Sequence, residues 1–244
     1  MAQPAPLYIV ASPRPRIGKT LVARLLMEFL QQSRRPVAGY DINPREPSLA
    51  ERFPKLVWPV DISDTRGQME LYDRLLADDT SSKVIDLGYG PFDQFFAVMR
   101  EIDFVPEARR RGIEPIVLFV ADPSGSTIRA YAELQSRVPA TFVPVYNESV
   151  SLLFAKEDFP PTRLECGVIR IARLSPLVRG VIDRPNFSFN AYMAKRPAGP
   201  TEVHQWIGEV YAEFRDFELR LLMSRLNASL GAAAIANRKS RRTR

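Results

Sequence analysis

The chain contains one cysteine and one histidine in 244 residues, and this shortage excludes several kinds of site. Because Cys166 stands alone, no intrachain disulfide can form and no cysteine-based zinc or cluster site can be built. His204 is the only histidine, which excludes a multi-histidine metal centre and a histidine-based catalytic triad. We interpret Cys166 as a buried strand residue.

Long apolar runs are missing as well. The chain begins without a basic leader, and its first apolar run ends at Ala11. This run is too short for a signal sequence or a membrane-spanning helix. We therefore expect a cytoplasmic protein.

Positive charge is concentrated near the last residue. The formal net charge is +6, and Arg238, Lys239, Arg241, Arg242 and Arg244 supply five of these charges. Such a run can bind DNA or an anionic membrane surface, or it can serve only to keep the chain soluble, and both interpretations stay open. The sequence predicts one domain over residues 1–230 and a basic, disordered tail over residues 231–244.

Short apolar runs alternate with helix-compatible stretches along the chain. This alternation is typical of βαβ units and predicts an α/β fold, with a doubly wound, mostly parallel sheet flanked by helices. The predicted strands cover residues 7–11, 37–41, 57–60, 83–87, 115–121, 141–145 and 167–172. The predicted helices cover residues 19–33, 48–52, 92–100 and 126–136, with others starting near residues 64 and 201.

Gly18-Lys19-Thr20 lies between the first predicted strand and the first predicted helix. In this position the three residues are typical of the end of a phosphate-binding P-loop. Such a loop holds phosphates with backbone N–H groups and a helix N-terminus, adds a lysine for the outer phosphates, and places a hydroxyl on Mg²⁺.

The residues before Gly18 depart from the usual P-loop pattern, G-x-x-x-x-G-K-[ST]. Position 13 should be glycine, but the segment is Pro13-Arg14-Pro15-Arg16-Ile17. Proline has a fixed φ and no N–H group, so two phosphate donors are lost and the loop should not adopt glycine-only conformations. Arg14 and Arg16 could compensate through charge-assisted contacts to phosphate oxygens, or could point into solvent.

Three polar residues stand at the ends of predicted strands. Asp86 ends one strand, at the position where a P-loop protein places the acid that orients Mg²⁺. Asp41 ends another strand, and Asn147 follows a third, where its amide could contact a purine. Each residue alone is also compatible with a simple turn.

In this order, the loop, the segment Asp41-Ile42-Asn43-Pro44, Asp86 and Asn147 resemble the ParA/MinD/CobQ group of P-loop ATPases. The resemblance covers about residues 7–147. Members of this family have a doubly wound α/β fold and bind Mg-ATP. They dimerise with nucleotide between the subunits and act as switches on DNA, membranes or partner proteins. The resemblance therefore implies ATP and Mg²⁺ as cofactors, a homodimer, and a partner protein of unknown identity.

The resemblance also implies roles for the matching residues. Lys19 would hold the β- and γ-phosphates, and Thr20 would ligate Mg²⁺. Asp86 matches the acid that orients the metal, and Asp41 matches the first acid of the loop that senses the γ-phosphate. Arg14 stands where the family has a signature lysine that contacts the partner subunit's nucleotide.

Two asparagines complete the comparison with the family. Asn147 matches a residue that contacts adenine, and Asn43 stands where hydrolysing members carry a second aspartate. Asparagine can hydrogen-bond a water but cannot accept its proton. The sequence therefore predicts nucleotide binding with slow or absent hydrolysis.

The predicted site is made of three sets of residues. The catalytic set is Lys19, Asp41 and Asn43. The cofactor-binding set is Arg14, Arg16, Ile17, Gly18, Lys19, Thr20, Leu21 and Asn147. The metal-binding set is Thr20 and Asp86. Two alternatives stay open: a degenerate adaptor that keeps the fold without hydrolysis, and a ligase similar to dethiobiotin synthetase that phosphorylates a carboxylate.

Overall fold

A computed structural model describes residues 4–77, 80–122, 124–150, 167–195, 199 and 201–242, with side chains up to residue 227. Its strands are β1 (Ala5–Ala11), β2 (Val37–Ile42), β3 (Val57–Pro59), β4 (Ser82–Leu87), β5 (Ile113–Ala121), β6 (Thr141–Asn147) and β7 (Ile169–Ile171). Its helices are α1 (Lys19–Gln32), α2 (Ser48–Arg52), α3 (Thr65–Leu75), α4 (Phe92–Glu101), α5 (Phe104–Arg110), α6 (Gly125–Arg137), α7 (Pro176–Ile182), α8 (Phe189–Met193) and α9 (Glu202–Arg242). Cys166 lies outside the described residues.

The strands form one parallel sheet, as the alternation of apolar runs predicted. Within the described residues the strand order is β3-β2-β4-β1-β5-β6-β7, and every neighbouring pair is parallel. Strands β2, β3 and β4 lie on one side of β1 in the sheet, and β5 begins the other side. In such doubly wound sheets the ligand crevice lies at the carboxyl ends of the strands, where this change of direction occurs.

Helices cover both faces of the sheet, so that β1 is buried throughout its second half. Tyr8 and Val10 belong to the apolar layer that includes α1 and α9. Leu7, Ile9 and Ala11 belong to the opposite layer, with side chains of α3 to α6. This alternation follows from the two-residue period of a strand. A strand that is covered on both faces therefore requires a nearly continuous apolar run.

The first and last elements of the chain are in direct contact. The Tyr8 hydroxyl donates a hydrogen bond to Glu218 Oε1 at 2.9 Å. The Phe217 ring packs edge-on against the Tyr8 ring, with centroids 6.5 Å apart. Burial is the main cause that raises the pKa of Tyr8 well above its usual range, so the hydroxyl stays a donor.

Three short helices that the sequence analysis did not identify connect the main elements. Prolines obscured two of them: α5 carries Pro106 in its first turn, and α7 begins at Pro176. Proline is tolerated in the first turn because the N–H groups there have no intrahelical acceptor. The third, α8, has only five residues and is capped by Ser188, whose side chain accepts the N–H of Ala191.

The last helix, α9, extends from Glu202 to Arg242. It therefore continues past residue 230, where the sequence analysis placed the start of a disordered tail. The division into a domain and a basic tail stays a prediction. A bilayer-spanning helix needs about 20 consecutive apolar residues, and no helix in the described part of the chain is both long and apolar enough.

Candidate functional site

The loop between β1 and α1 is closed by two hydrogen bonds of its own. Ser12 is fully buried, and its Oγ accepts the N–H of Arg14 at 3.3 Å. The Lys19 Nζ donates to the Arg14 carbonyl at 2.7 Å. The loop therefore curves around the lysine, and this curvature brings the residues before Gly18 close to the start of α1.

The amino end of α1 opens toward this loop. The first intrahelical bond is donated by Val22 to the Gly18 carbonyl, at 3.0 Å. The N–H groups of Lys19, Thr20 and Leu21 precede it and have no acceptor within the helix. Aligned N–H groups and the helix dipole favour an anion at such a position. Leu21 contributes only its backbone here, because its side chain packs against the apolar core.

Asn147 contacts the loop from the end of β6. Its side chain is buried, its Nδ2 donates to the Ile17 carbonyl at 3.1 Å, and its Oδ1 accepts the N–H of Ser149 at 3.1 Å. In this structure both ends of the amide are therefore used to hold loop and strand together. The contact with adenine that the resemblance implied stays a prediction.

Two residues of the loop have left-handed backbone conformations. Gly18 has φ 91° and Arg16 has φ 59°. Arg16 is a non-glycine residue in the left-handed region, which such residues adopt only at a cost. Left-handed geometry costs about 1–2 kcal/mol for a non-glycine residue, and such strain is concentrated at functional loops. The Arg16 side chain is exposed.

Asp86 lies beneath the start of α1, close to the residues expected to share its role. It is almost fully buried, the Thr20 side chain lies close enough to lower its pKa, and Lys19 is its nearby positive charge. Burial, the largest effect, and the charge of Asp41 together raise the pKa of Asp86 to about 7, against the opposing effects of Thr20 and Lys19. The structure therefore brings together the two residues predicted to bind metal and the lysine predicted to bind phosphate.

Asp41 is the neighbour of Asp86 on the adjacent strand of the sheet. Its Oδ2 accepts the N–H groups of Leu49 at 2.8 Å and Ala50 at 3.1 Å, so it caps the short helix α2. Its Oδ1 is buried and makes no hydrogen bond with any described residue. Burial is the main cause of a raised pKa for Asp41. Two neighbouring buried carboxylates, one with an unbonded oxygen, form a donor set that suits a hard cation.

Asn43 lies at the same edge of the sheet but is engaged in a turn. Its Nδ2 donates to the Glu46 carbonyl at 2.8 Å, and Glu46 returns its own N–H to the Asn43 carbonyl at 3.2 Å. The residue lies beside Gly88, just after the strand that carries Asp86. Its Oδ1 can accept a hydrogen bond from a water but cannot act as a base.

Asp122 is a neighbour of the site that the sequence analysis missed. It follows β5, and its Oδ2 accepts from Arg14 Nε at 3.3 Å. Partial burial of the carboxylate opposes ionisation, but hydrogen bonds from Ser124 and Thr127 outweigh it and hold the pKa of Asp122 below its usual value. Asp122 directly follows a strand adjacent to β1, and parallel strands end at one edge of the sheet. This position could have indicated that Asp122 lies near the loop.

The structure thus brings most of the predicted residues to one edge of the sheet. The loop, the start of α1, Asp86 and Asp41 adjoin one another, and Asn147 braces the loop. Arg14 is paired with Asp122 of its own chain, although its side chain remains 49% exposed. The positively charged side chain of Arg16 is exposed to solvent and has no fixed contact with another described residue.

Gly18→Ala should destabilise the protein by about 1–3 kcal/mol, because alanine adds left-handed strain and its Cβ would collide with Asn147 Nδ2. Gly90→Ala is the matched control, since no atom lies within 4 Å of its added Cβ. Urea unfolding of both variants measures the difference. Equal midpoints for the two variants would contradict the close contact between Gly18 and Asn147.

The raised pKa of Asp86 predicts a pH dependence of stability in the ligand-free protein. Because the folded pKa of about 7 lies above the model-peptide value of 3.8, this group's contribution is present at low pH and is lost as pH rises toward 7. Asp86→Asn should flatten the dependence of the unfolding midpoint on pH between about 4 and 7. Parallel curves for the two proteins would mean that Asp86 is not the group responsible.

Comparisons with known proteins place few limits on this site. No protein-family model matches the chain, and no curated protein matches it either. Among solved structures, the chain is similar to one from Archaeoglobus fulgidus described as a nucleotide-binding protein in complex with ADP, in which cobalt was found. The match has a TM-score of 0.39 and 14% identity, and it covers 59% of this chain and 66% of that one.

Proposed function

We propose that this protein binds ATP with Mg²⁺ at the loop between β1 and α1, and that it acts as a ParA/MinD-like dimeric switch with slow or absent hydrolysis. One observation carries the proposal. The Thr20 side chain adjoins the buried Asp86 carboxylate beside Lys19, at the open amino end of the helix after the central strand. Phosphate and divalent-metal chemistry need these groups in this arrangement.

Phosphate binding is assigned to the amino end of α1 and to Lys19. Three N–H groups precede the first intrahelical bond, and the lysine at the start of the same helix supplies a positive charge. Lys19 is bonded to the Arg14 carbonyl, a neutral acceptor. A phosphate oxygen would bind the ammonium group more strongly, because charge-assisted hydrogen bonds are about twice as strong as neutral ones.

Metal binding is assigned to Thr20 and Asp86, with Asp41 as a neighbouring carboxylate. The unbonded Oδ1 of Asp41 and the raised pKa of Asp86 both indicate a site that a cation would stabilise. When bound, Mg²⁺ would neutralise charge on the phosphates. The chain itself orients the Thr20 hydroxyl by means of Asp86.

The geometry favours binding over turnover. Asp41 is occupied as a helix cap, and the amide of Asn43 is held by Glu46. Neither residue is left to take a proton from water: the unbonded Oδ1 of Asp41 is assigned to the cation, and asparagine has no basic form. A switch needs nucleotide to change an equilibrium between states, and slow hydrolysis would prolong the bound state.

Arg14 supports the dimeric part of the proposal. Its side chain is 49% exposed and held by a single ion pair with Asp122, the weak kind typical of a protein surface. A partner subunit's nucleotide could therefore compete with Asp122 for the guanidinium. The alternative, an adaptor without nucleotide, is favoured by the strained Arg16 and by the two prolines of the loop.

Lys19→Ala should weaken binding of a non-hydrolysable ATP analogue with Mg²⁺ by at least about tenfold, since it removes a charged hydrogen bond worth about 1.5–3 kcal/mol. Isothermal titration calorimetry measures the affinity. Arg137→Ala is the control, because this arginine is 55% exposed at the last residue of α6, the end of the helix opposite to Asp122 and the loop. No detectable binding to the wild-type chain would favour the adaptor instead, and equal affinities of both variants would place the nucleotide elsewhere.

The dimeric state is tested separately by light scattering with and without the same analogue. The wild-type mass should double on addition of analogue and Mg²⁺, and Arg14→Ala should abolish the doubling. Asp122→Asn should preserve it, because this change releases Arg14 from its ion pair. A monomer that binds the analogue at full affinity would refute the switch while leaving nucleotide binding intact.

A further inference from the structure

A second concave region lies at the opposite end of the sheet from the loop. It is formed where the amino ends of β1, β4 and β5 meet the middle of α9, and it encloses about 880 Å³. Small-molecule sites typically enclose about 300–1,000 Å³. We call this region the amino-end cavity. The nucleotide site proposed above uses none of its lining residues.

Arginine dominates the charge of the amino-end cavity. The lining arginines are Arg35, Arg109, Arg111, Arg215 and Arg225. Among the described residues that line the cavity, the acidic one is Glu218. Ion pairs occupy three of these arginines: Arg35 with Glu218 at 2.8 Å, Arg109 with Glu114 at 2.9 Å, and Arg111 with Glu107 at 2.7 Å. Arg215 and Arg225 form no ion pair with any described residue, so positive charge is left over.

Guanidinium nitrogens in this cavity are also left without acceptors. Arg225 Nη2 and Arg35 Nε are both buried, and neither has a hydrogen-bond partner among the described residues. Glu218 cannot serve them all, because its Oε1 already accepts from the Tyr8 hydroxyl at 2.9 Å and pairs with Arg35. A buried charged donor without an acceptor is costly. An oxyanion in the cavity would offset the charge of these arginines without reaching the two buried nitrogens themselves.

The remaining wall is apolar. Pro6 and Ile113 line it from the sheet, and Leu219 and Leu222 line it from α9. Leu219 is 60% exposed and Leu222 is 38% exposed, so both have apolar surface available for contact. A ligand that fits this cavity therefore has an anionic group for the arginines and an apolar body for the leucines.

We propose that the amino-end cavity binds a small organic phosphate, with its phosphate on Arg215 and Arg225 and its apolar body against Leu219 and Leu222. A phosphate suits two uncompensated guanidinium groups better than a carboxylate does. It carries about −1.5 to −2 charges at neutral pH, and its three oxygens match the forked donors of arginine. The proposal is independent of nucleotide binding at Lys19.

Calorimetry of the full chain with 1-naphthyl phosphate tests the proposal, with inorganic phosphate and 1-naphthol as partial probes. The ester should bind more tightly than either probe, because it alone combines the charge with the apolar ring. Arg215→Gln and Arg225→Gln should each weaken it by about tenfold or more, the loss expected for a charged hydrogen bond. Arg129→Gln, which removes a surface arginine from α6, should leave the affinity unchanged.

Two further experiments show where on the protein the ester binds and whether a lipid surface binds there instead. Lys19→Ala should bind the ester as the wild type does, and a loss there would overturn the proposal by placing the probe at the loop. Vesicles containing phosphatidylglycerol are used in the second experiment. The proposal would also be overturned if the two arginine variants lost binding to the vesicles but bound the soluble ester as the wild type does. Because Arg215 is exposed, its variant should fold, and unchanged affinity in that variant would refute the assigned contact.

Discussion

The burial of β1 on both faces is the constraint on which the rest of the structure depends. The chain leaves each strand of a parallel sheet at the carboxyl edge of that sheet. The loop between β1 and α1 must therefore lie at this edge. The strands on either side end there too, and they bring Asp86 and the segment that begins with Asp122 toward the loop. Polar residues that are distant in sequence become neighbours because parallel strands end together.

The candidate site is consequently a set of contacts from four separate strand ends. Asp86 adjoins Thr20, Asp41 lies beside Asp86, Asp122 pairs with Arg14, and Asn147 holds the loop through Ile17. Burial and hydrogen bonding act in opposite directions on these carboxylates. Burial raises the pKa of Asp86 and Asp41 inside the sheet, and hydrogen bonding lowers the pKa of Asp122 at the rim. The inner pair therefore suits a cation, and the outer carboxylate suits an arginine.

Much of the fold could be predicted because apolar runs and helix boundaries are local signals. The runs that became β1 and β4 are continuous, and Lys19 begins α1 where the sequence indicated. The placement of Asp41 as a cap of α2, and the use of both ends of the Asn147 amide, could not be predicted. These contacts depend on how strands from distant segments are aligned, which no local pattern contains. The backbone of Arg16 could not be predicted for a different reason, since its conformation contradicts its intrinsic preference.

The contact between Tyr8 and Glu218 has a consequence for how the molecule is made. The two residues are 210 positions apart, yet the central strand is fully covered only when both are present. During synthesis, a chain that has not yet released α9 from the ribosome has α1 on this face of the sheet but leaves Tyr8, β7 and the outer side of α1 uncovered. Folding of this face is therefore a late event, and it depends on a contact of very high sequence separation, the kind that slows folding. A truncation before residue 217 would leave that apolar face open to aggregation.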